Sequence, residues 1–200
     1  MEENSSGFYA MMSRMKYIER WALMHNVRKE TISEHAMEVS MLAHALAVIG
    51  NTRLGKNYNE EKTALIGLYH DASEIITGDM PTPIKYYNEE MRDLFHGIED
   101  RACDRMVDML PEDMRASYRK IFFPTDEDKD IWRLVKAADK LSAFIKCLEE
   151  LGCGNTEFRS AKESTLIKLK EMREELPELK IFMKEFLPAY GKTLDELQEK

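Results

Sequence analysis

Three ionisable side chains, His70, Asp71 and Glu74, stand in the segment YHDASEIITGD between Tyr69 and Asp79, inside a pattern that otherwise reads as an apolar helix face. From Glu60 to Thr77, the residues Ala64, Leu68, Ala72, Ile75 and Ile76 recur at the helical spacing of a buried stripe. Asp71 falls on that stripe. Burying it desolvates a carboxylate, which is cheap only beside a cation or a metal. Glu74 follows both His70 and Asp71 at helical spacing, so the three share one surface. Two further polar residues interrupt apolar faces. His35 opens a helix whose stripe continues through Val39, Leu42, Leu46 and Ile49, and Asp139 follows Val135 on a helix from about Asp128 to Leu151 whose buried face reads Ile131, Val135, Ala138, Ser142 and Ile145.

Two imidazoles and two carboxylates from three helices are the donor set of a divalent transition metal. The same four residues fit equally well as unrelated buried polar groups, because ligands scattered along a chain carry no local signature. The remaining histidines, His25, His44 and His96, read as surface or core residues and leave little room for a second metal. A metal in such a set acts as a Lewis acid and lowers the pKa of a bound water. A glutamate one turn from the ligands is placed to take that water's proton or to orient it. Anywhere else Glu74 would be a solvated helix-surface residue.

The order His35, His70-Asp71, Asp139 resembles the H...HD...D signature of the HD-domain metal-dependent phosphohydrolases. The segments SRMKYIERWALMHNVRKETISEHAMEV, YHDASEIITGDMPTPIKYYN and VKAADKLSAFIKCLEELGCGNTEF resemble more closely the bacterial HD-domain 5'-deoxyribonucleotidases, over most of Phe8 to about Pro188. The Arg20-Trp21 pair and the GDMPTP loop carry the closer likeness. The segment from about Met109 to Glu127 and the last dozen residues resemble the family least.

The resemblance implies that His35, His70, Asp71 and Asp139 hold one divalent ion of the cobalt, manganese or zinc kind, with His35, Asp71 and Asp139 also facing the substrate. Glu74 would be the catalytic carboxylate, and Arg20 would orient the phosphate for catalysis. Trp21 would pack against the sugar, leaving no room for a 2'-hydroxyl, and Asp79, Met80, Pro81 and Thr82 would line the nucleoside pocket. The activity implied is hydrolysis of deoxyribonucleoside 5'-monophosphates to deoxyribonucleosides and phosphate, in a homodimer. Two other readings stand beside it: an HD hydrolase of a nucleoside triphosphate or cyclic nucleotide, and a non-catalytic helical metal-binding adaptor.

Charge bears on these readings, since a chain of net charge -8 repels anionic substrates unless positive charge is focused where they bind. Between Arg14 and Lys29, the residues Arg14, Lys16, Arg20, Arg28 and Lys29 stand against Glu19, a local charge of +4 that leaves -12 for the rest. So compact a cluster suits a monophosphate better than a larger anion, and Arg20 is its best phosphate ligand because its planar fork can pair two oxygens. Arg14 and Lys16 read as ordinary surface charges. The absence of a basic tail excludes nucleic acid polymers as partners. Cys103, Cys147 and Cys153 form no close metal pair and fit a reducing cytoplasm. No apolar run is long enough to span a bilayer, and MEENSSGFY lacks a signal-peptide core.

The elements that must position these residues are all helices. Ser5 or Ser6 precedes a helix with Phe8, Met11, Met12, Met15 and Ile18 on its stripe, and Thr31 with Glu34 forms a capping box ahead of His35. Asn59 precedes the His70 helix. Asn88 precedes one with Met91, Leu94, Phe95, Ile98, Ala102 and Met106 on its stripe. Gly78 ends the His70 helix in a left-handed conformation, and two prolines stiffen the loop to Pro83. Gly152 and Gly154 close the Asp139 helix, two helices follow over Thr156 to Glu175 and Pro177 to Leu187, and Thr193 with Glu196 caps a terminal turn. Most of the fourteen methionines fall at stripe positions. The pattern predicts an all-α fold and one HD-type domain over residues 1–200, with its motif core at about 8–188 and a terminal turn at 189–200.

Overall fold

Thr31 is extended, and its hydroxyl accepts from the Glu34 amide while the Glu34 carboxylate accepts from the Thr31 amide. Two orphan donors are thereby satisfied, and a helix starts at Ile32. Asn59 and Asn88 cap the next long helices in the same way, through the amides of Lys62 and Met91.

The computed structural model describes residues 5–85 and 87–198. The helices are α1 (Phe8–Met12), α2 (Ile32–Leu54), α3 (Glu60–Tyr69), α4 (Glu74–Thr77), α5 (Thr82–Lys85), α6 (Glu89–Asp108), α7 (Glu112–Phe122), α8 (Lys129–Gly152), α9 (Arg159–Glu175), α10 (Pro177–Glu185) and α11 (Leu194–Gln198). Among the described residues there is no strand, only an isolated bridge between Glu19 and Thr31. The fold is all-α.

α2 lies at the centre, packed against α3, α8 and α10, and α9 closes the outer side of α8. The main core draws Val39, Leu42, Leu46 and Ile49 from α2, Ile131, Val135, Ala138 and Ile145 from α8, and Leu179 and Phe182 from α10. Both stripes named from the sequence are buried. A second cluster gathers Phe8, Ala72, Met106, Val107, Leu110 and Phe122. The segment after α3 therefore joins two cores, with Ala72 fixed in the second.

Several expectations need correcting. The expected helix over Glu60 to Thr77 is two helices, because the His70 imidazole Nδ1 donates to the Gly67 carbonyl at 2.7 Å and so takes the acceptor that a continuing helix would offer to the Asp71 amide. The chain turns more tightly here, with amide bonds from Ala72 to Tyr69, Glu74 to Asp71 and Ile75 to Ala72. Ile76, past the break, faces solvent, and so does Leu68, because α3 buries the face of Thr63, Ile66 and Gly67 instead. The N-terminal helix stops at Met12 and continues as a 3-10 turn over Ser13–Tyr17, and Ser6 donates to the Met109 carbonyl. Gly78 has φ 73 but ψ 165, so its positive φ is not left-handed helical. Leu94 and Ile98 are exposed, as are Met37 and Met41.

α3 lies against the backbone of α2 at Gly67, where an added Cβ would lie 2.9 Å from the Ser40 Cα and 3.2 Å from its amide nitrogen. Those are backbone atoms, and neither can give way. Gly67→Ala is expected to lose about 1–3 kcal/mol to overpacking, outweighing the roughly 1 kcal/mol gain in helix propensity. Urea denaturation checks this, and a variant as stable as the parent would show that the two helices are free to separate.

Candidate active site

The sequence places His35 in the first turn of α2, His70 and Asp71 just past α3, and Asp139 midway along α8. Packing brings them together. His35 Nε2 lies 3.4 Å from Asp71 Oδ2 and 3.3 Å from Asp139 Oδ1, and His70 Nε2 lies 3.1 Å from the same Asp71 oxygen. The two rings stand 5.2 Å apart. Donor atoms of His35, His70 and Asp71 all fall within 4.8 Å of one another. Asp139 joins them through His35, and its second oxygen accepts from Lys140 at 3.0 Å.

Proton accounting shows what this cluster needs. The Gly67 carbonyl can only accept, so His70 carries its proton on Nδ1 and turns a lone pair on Nε2 toward Asp71. His35 Nδ1 is likewise engaged on the far side of its ring, 2.8 Å from Ser142 Oγ. Both Nε2 atoms are buried and make no hydrogen bond. Lone pairs facing carboxylate oxygens at these distances repel unless positive charge lies between them, and this donor set fits a divalent metal. A proton meets part of the same demand: burial lowers the His70 pKa, but Asp71 and Asp139 outweigh it and the net shift is upward. Burial raises Asp71, and the two imidazoles more than reverse it, holding the carboxyl well below its ordinary value.

Glu74 follows Asp71 by three residues in the tight turn, and residues at that interval eclipse one another in 3-10 geometry. Its side chain is 6% exposed, and its Oε2 is buried without a partner. It is no solvated surface glutamate. Burial, followed by the Asp71 and Asp79 charges, pushes its carboxyl up to about 9. Asp79 accepts from the Trp21 amide at 3.2 Å, which ties the loop after α4 to the N-terminal turn. Met80 and Pro81 lie half-buried beside it. Thr82 opens α5, and its side chain lies outside the described residues.

Arg20 and Trp21 are held by Glu30, whose Oε2 accepts from Arg20 Nη1 at 2.6 Å and from the indole Nε1 at 3.2 Å. Burial disfavours the Arg20 charge, yet Glu30, Asp139, Asp71 and Asp79 together raise its pKa. The Trp21 ring packs on Phe158 at 5.3 Å, and its φ of 59 is the one positive value at a non-glycine residue among the described residues. Strain of that kind persists only where the surroundings fix it. Folding cuts the local excess of +4 to +2: Glu30 pairs with Arg20 and Glu34 with Arg28, while Lys29 pairs with Glu19, which is already in the count. Arg14 and Lys16 lie against the exposed ring of Tyr17.

The family model described as 5'-deoxynucleotidase YfbR-like matches residues 7–190. The chain belongs to the YfbR-like 5'-deoxynucleotidase family. It is 45% identical to the 5'-deoxynucleotidase of Pectobacterium atrosepticum over 98% of both chains. It is also 45% identical to the 5'-deoxynucleotidase YfbR of Escherichia coli, over 97% of this chain and 96% of that one. Among solved structures, an HD-domain phosphohydrolase from Listeria innocua superposes with a TM-score of 0.77 at 24% identity, covering 92% of this chain and 87% of its own. The cyanophage S-2L HD phosphohydrolase DatZ, solved with dA and one catalytic zinc ion, superposes with a TM-score of 0.65 at 22% identity, covering 92% and 96%. These likenesses show the HD-domain fold.

In this YfbR-like chain, sequence reasoning missed the residues that hold the site from behind. Nothing in the spacing of Glu30 marks it. Glu150 is buried near the end of α8, where its carboxylate accepts from the Val27 amide at 2.8 Å, the Arg28 amide at 3.2 Å and Lys146 at 2.5 Å. Lys146 also donates to the Arg28 carbonyl. Asn155 bridges Glu150 and the His25 carbonyl. A charged pair on the buried side of α8 was the available signal. His25, His44 and His96 are all exposed and take no part.

Burial raises the Glu150 carboxyl, but Lys146, Asn155 and the two amides outweigh it and set it at about 2. A carboxyl depressed on folding stabilises the protein above its unfolded pKa and loses that contribution as pH falls through the folded one. Glu150→Gln is therefore expected to cost about 2–3 kcal/mol near neutral pH, with the gap to the parent closing between about pH 4.5 and pH 2. Denaturation of both proteins across that range measures it, and a gap independent of pH would refute the assignment.

Proposed function

We propose that this chain is a metal-dependent 5'-deoxynucleotidase in which His35, His70, Asp71 and Asp139 hold one divalent ion. Family membership supplies the activity class. The observation that carries the placement is the pair of buried Nε2 atoms that make no hydrogen bond and face two carboxylates, with the buried Glu74 alongside. Cobalt, manganese and zinc all suit two imidazoles and two carboxylates. An ion bound there supplies Lewis acidity toward a phosphoryl oxygen and lowers the pKa of water.

The chain's own residues do the rest. Arg20, fixed by Glu30, offers its remaining guanidinium donors to the phosphate and orients it. Trp21, held by its indole hydrogen bond and by Phe158, stands as a rigid wall for the sugar. Asp79, with Met80, Pro81 and Thr82, borders the nucleoside. A cation held by Asp71 would offset the charge that helps to raise the Glu74 carboxyl, so that Oε2 would accept the proton of the attacking water or orient it for in-line displacement. The new P–O bond forms as the bond to O5' breaks, O5' gains a proton, and a deoxyribonucleoside and phosphate leave. The domain acts as one unit, with its motif core at about 8–188. The exposed Met37 and Met41 on α2 support a homodimer, and three unpaired cysteines support a reducing cytoplasm. Among the described residues no helix is long and apolar enough to cross a membrane.

A panel of deoxyribo- and ribonucleoside monophosphates, triphosphates and cyclic nucleotides, assayed with chelator and then with cobalt, manganese or zinc, tests the reading. Phosphate release is expected from the deoxyribonucleoside 5'-monophosphates and only with metal. Release unaffected by chelation, or none with any metal, would overturn it. Glu74→Gln is expected to lower kcat by about 10²–10⁴-fold with metal binding retained.

Sugar preference gives a separate test of the indole wall. Trp21→Ala is expected to narrow the deoxy-to-ribo ratio of kcat/KM by about tenfold or more. An unchanged ratio would remove Trp21 from sugar recognition.

A further inference from the structure

The two imidazoles of the centre are oriented in different ways. His70 Nδ1 faces a backbone carbonyl, an acceptor that can never donate, so its tautomer is fixed by the main chain. His35 Nδ1 faces the hydroxyl of Ser142, which can donate or accept. Left alone, that hydroxyl could give its proton to Nδ1 and force the imidazole proton onto Nε2, toward Asp71 and Asp139, where it would block metal coordination.

Glu38 removes this freedom. Ser142 Oγ donates to Glu38 Oε2 at 2.6 Å. The hydroxyl has a single proton, so once it is committed to Glu38 only oxygen lone pairs remain for His35 Nδ1, 2.8 Å away. The imidazole must then donate, and its Nε2 lone pair faces the centre. His35 and Ser142 are both fully buried, whereas Glu38 is only half-buried and lines a surface cleft of about 200 Å³ with Glu30, Lys146 and Glu149. The tautomer of the most deeply buried ring of the site is thus set from outside the site.

Resting on the reading of His35 as a metal ligand, we infer that Glu38 is a positioning residue that acts through Ser142 to hold His35 in the Nδ1–H tautomer, and so sets the affinity of the centre for its ion. Partners of this kind behind a ligating histidine change metal affinity by about 10–100-fold when removed.

The test compares Glu38→Met, which keeps the bulk and deletes the acceptor, with Glu38→Gln, whose amide oxygen can still accept from Ser142. Long-range ¹H–¹⁵N correlation spectra of the metal-free proteins at pH 8 read the His35 tautomer directly. Zinc affinity is read by competition with a chelating dye. The parent is expected to show the Nδ1–H form. Glu38→Met is expected to shift population to the Nε2–H form and weaken zinc binding by about 10–100-fold, while Glu38→Gln stays within about threefold of the parent on both readouts. An unchanged tautomer in Glu38→Met, weaker binding without a tautomer change, or an equal loss in both variants would overturn the relay. If zinc leaves the His35 ring signals of the parent unmoved, the ligand assignment itself fails, and that outcome is distinct from the others.

Discussion

The repulsion between two imidazole lone pairs and two carboxylates, gathered at the junction of two apolar cores, is the constraint around which the rest of the structure is arranged. Each group in isolation would be costly to bury, and the Coulombic cost rises as water is excluded. The helices hold it nonetheless. α2, α3 and α8 interlock through a continuous core from Val39 to Phe182, and the Gly67 contact lets α3 lie directly on the backbone of α2. Core burial thus supports an arrangement that is unfavourable until positive charge arrives. Such a preorganised, under-neutralised cluster would bind a cation without having to rearrange.

The break after α3 links this electrostatic demand to the backbone. His70 serves twice: its Nε2 faces the centre, and its Nδ1 takes the Gly67 carbonyl and ends the helix. The chain then tightens, Ala72 drops into the second core, and Asp71 and Glu74 come onto one side at the three-residue interval of a 3-10 turn. Ligand geometry and helix termination have one cause here. A side chain that only capped the helix would leave its second nitrogen without a purpose.

Much of this was legible in the residues because periodicity reports which face is buried. The stripes through His35 and Asp139 were read correctly, since α2 and α8 are long, regular and capped where Thr31 and the terminal glycines indicate. The break at His70 was not legible, because a helical pattern cannot show that a side chain will outcompete an amide for a carbonyl. Ile76 faces solvent past that break, whereas Leu68 faces solvent because Thr63, Ile66 and Gly67 form the buried face of α3. The +4 cluster failed differently. Counting stopped at Lys29, and Glu30, the next residue, is the one that folds back onto Arg20 and Trp21. Ser142 was read as a stripe position and is buried as expected, but a hydroxyl on an apolar face was itself a sign that something polar needed it.

Substrate capture then raises a question of charge balance. Asp71, Asp139, Asp79 and Glu30 all act on the guanidinium of Arg20, Lys140 pairs with Asp139, and Arg28 and Lys29 on the N-terminal segment are already paired. A phosphate dianion approaching such a site meets net negative charge, whatever the focusing expected from sequence alone. In the proposed reading the divalent ion has a second task besides its chemistry, because it would be the local charge that reverses the sign of the site. Arg20 cannot do this, since its charge is largely spent on Glu30. What Arg20 retains is direction: a fork held rigidly at 2.6 Å by one carboxylate presents its remaining donors in a fixed plane. In that reading, attraction from the ion and orientation from the arginine are separable contributions that rest on different elements, the α2–α3–α8 junction and the turn anchored by Glu150.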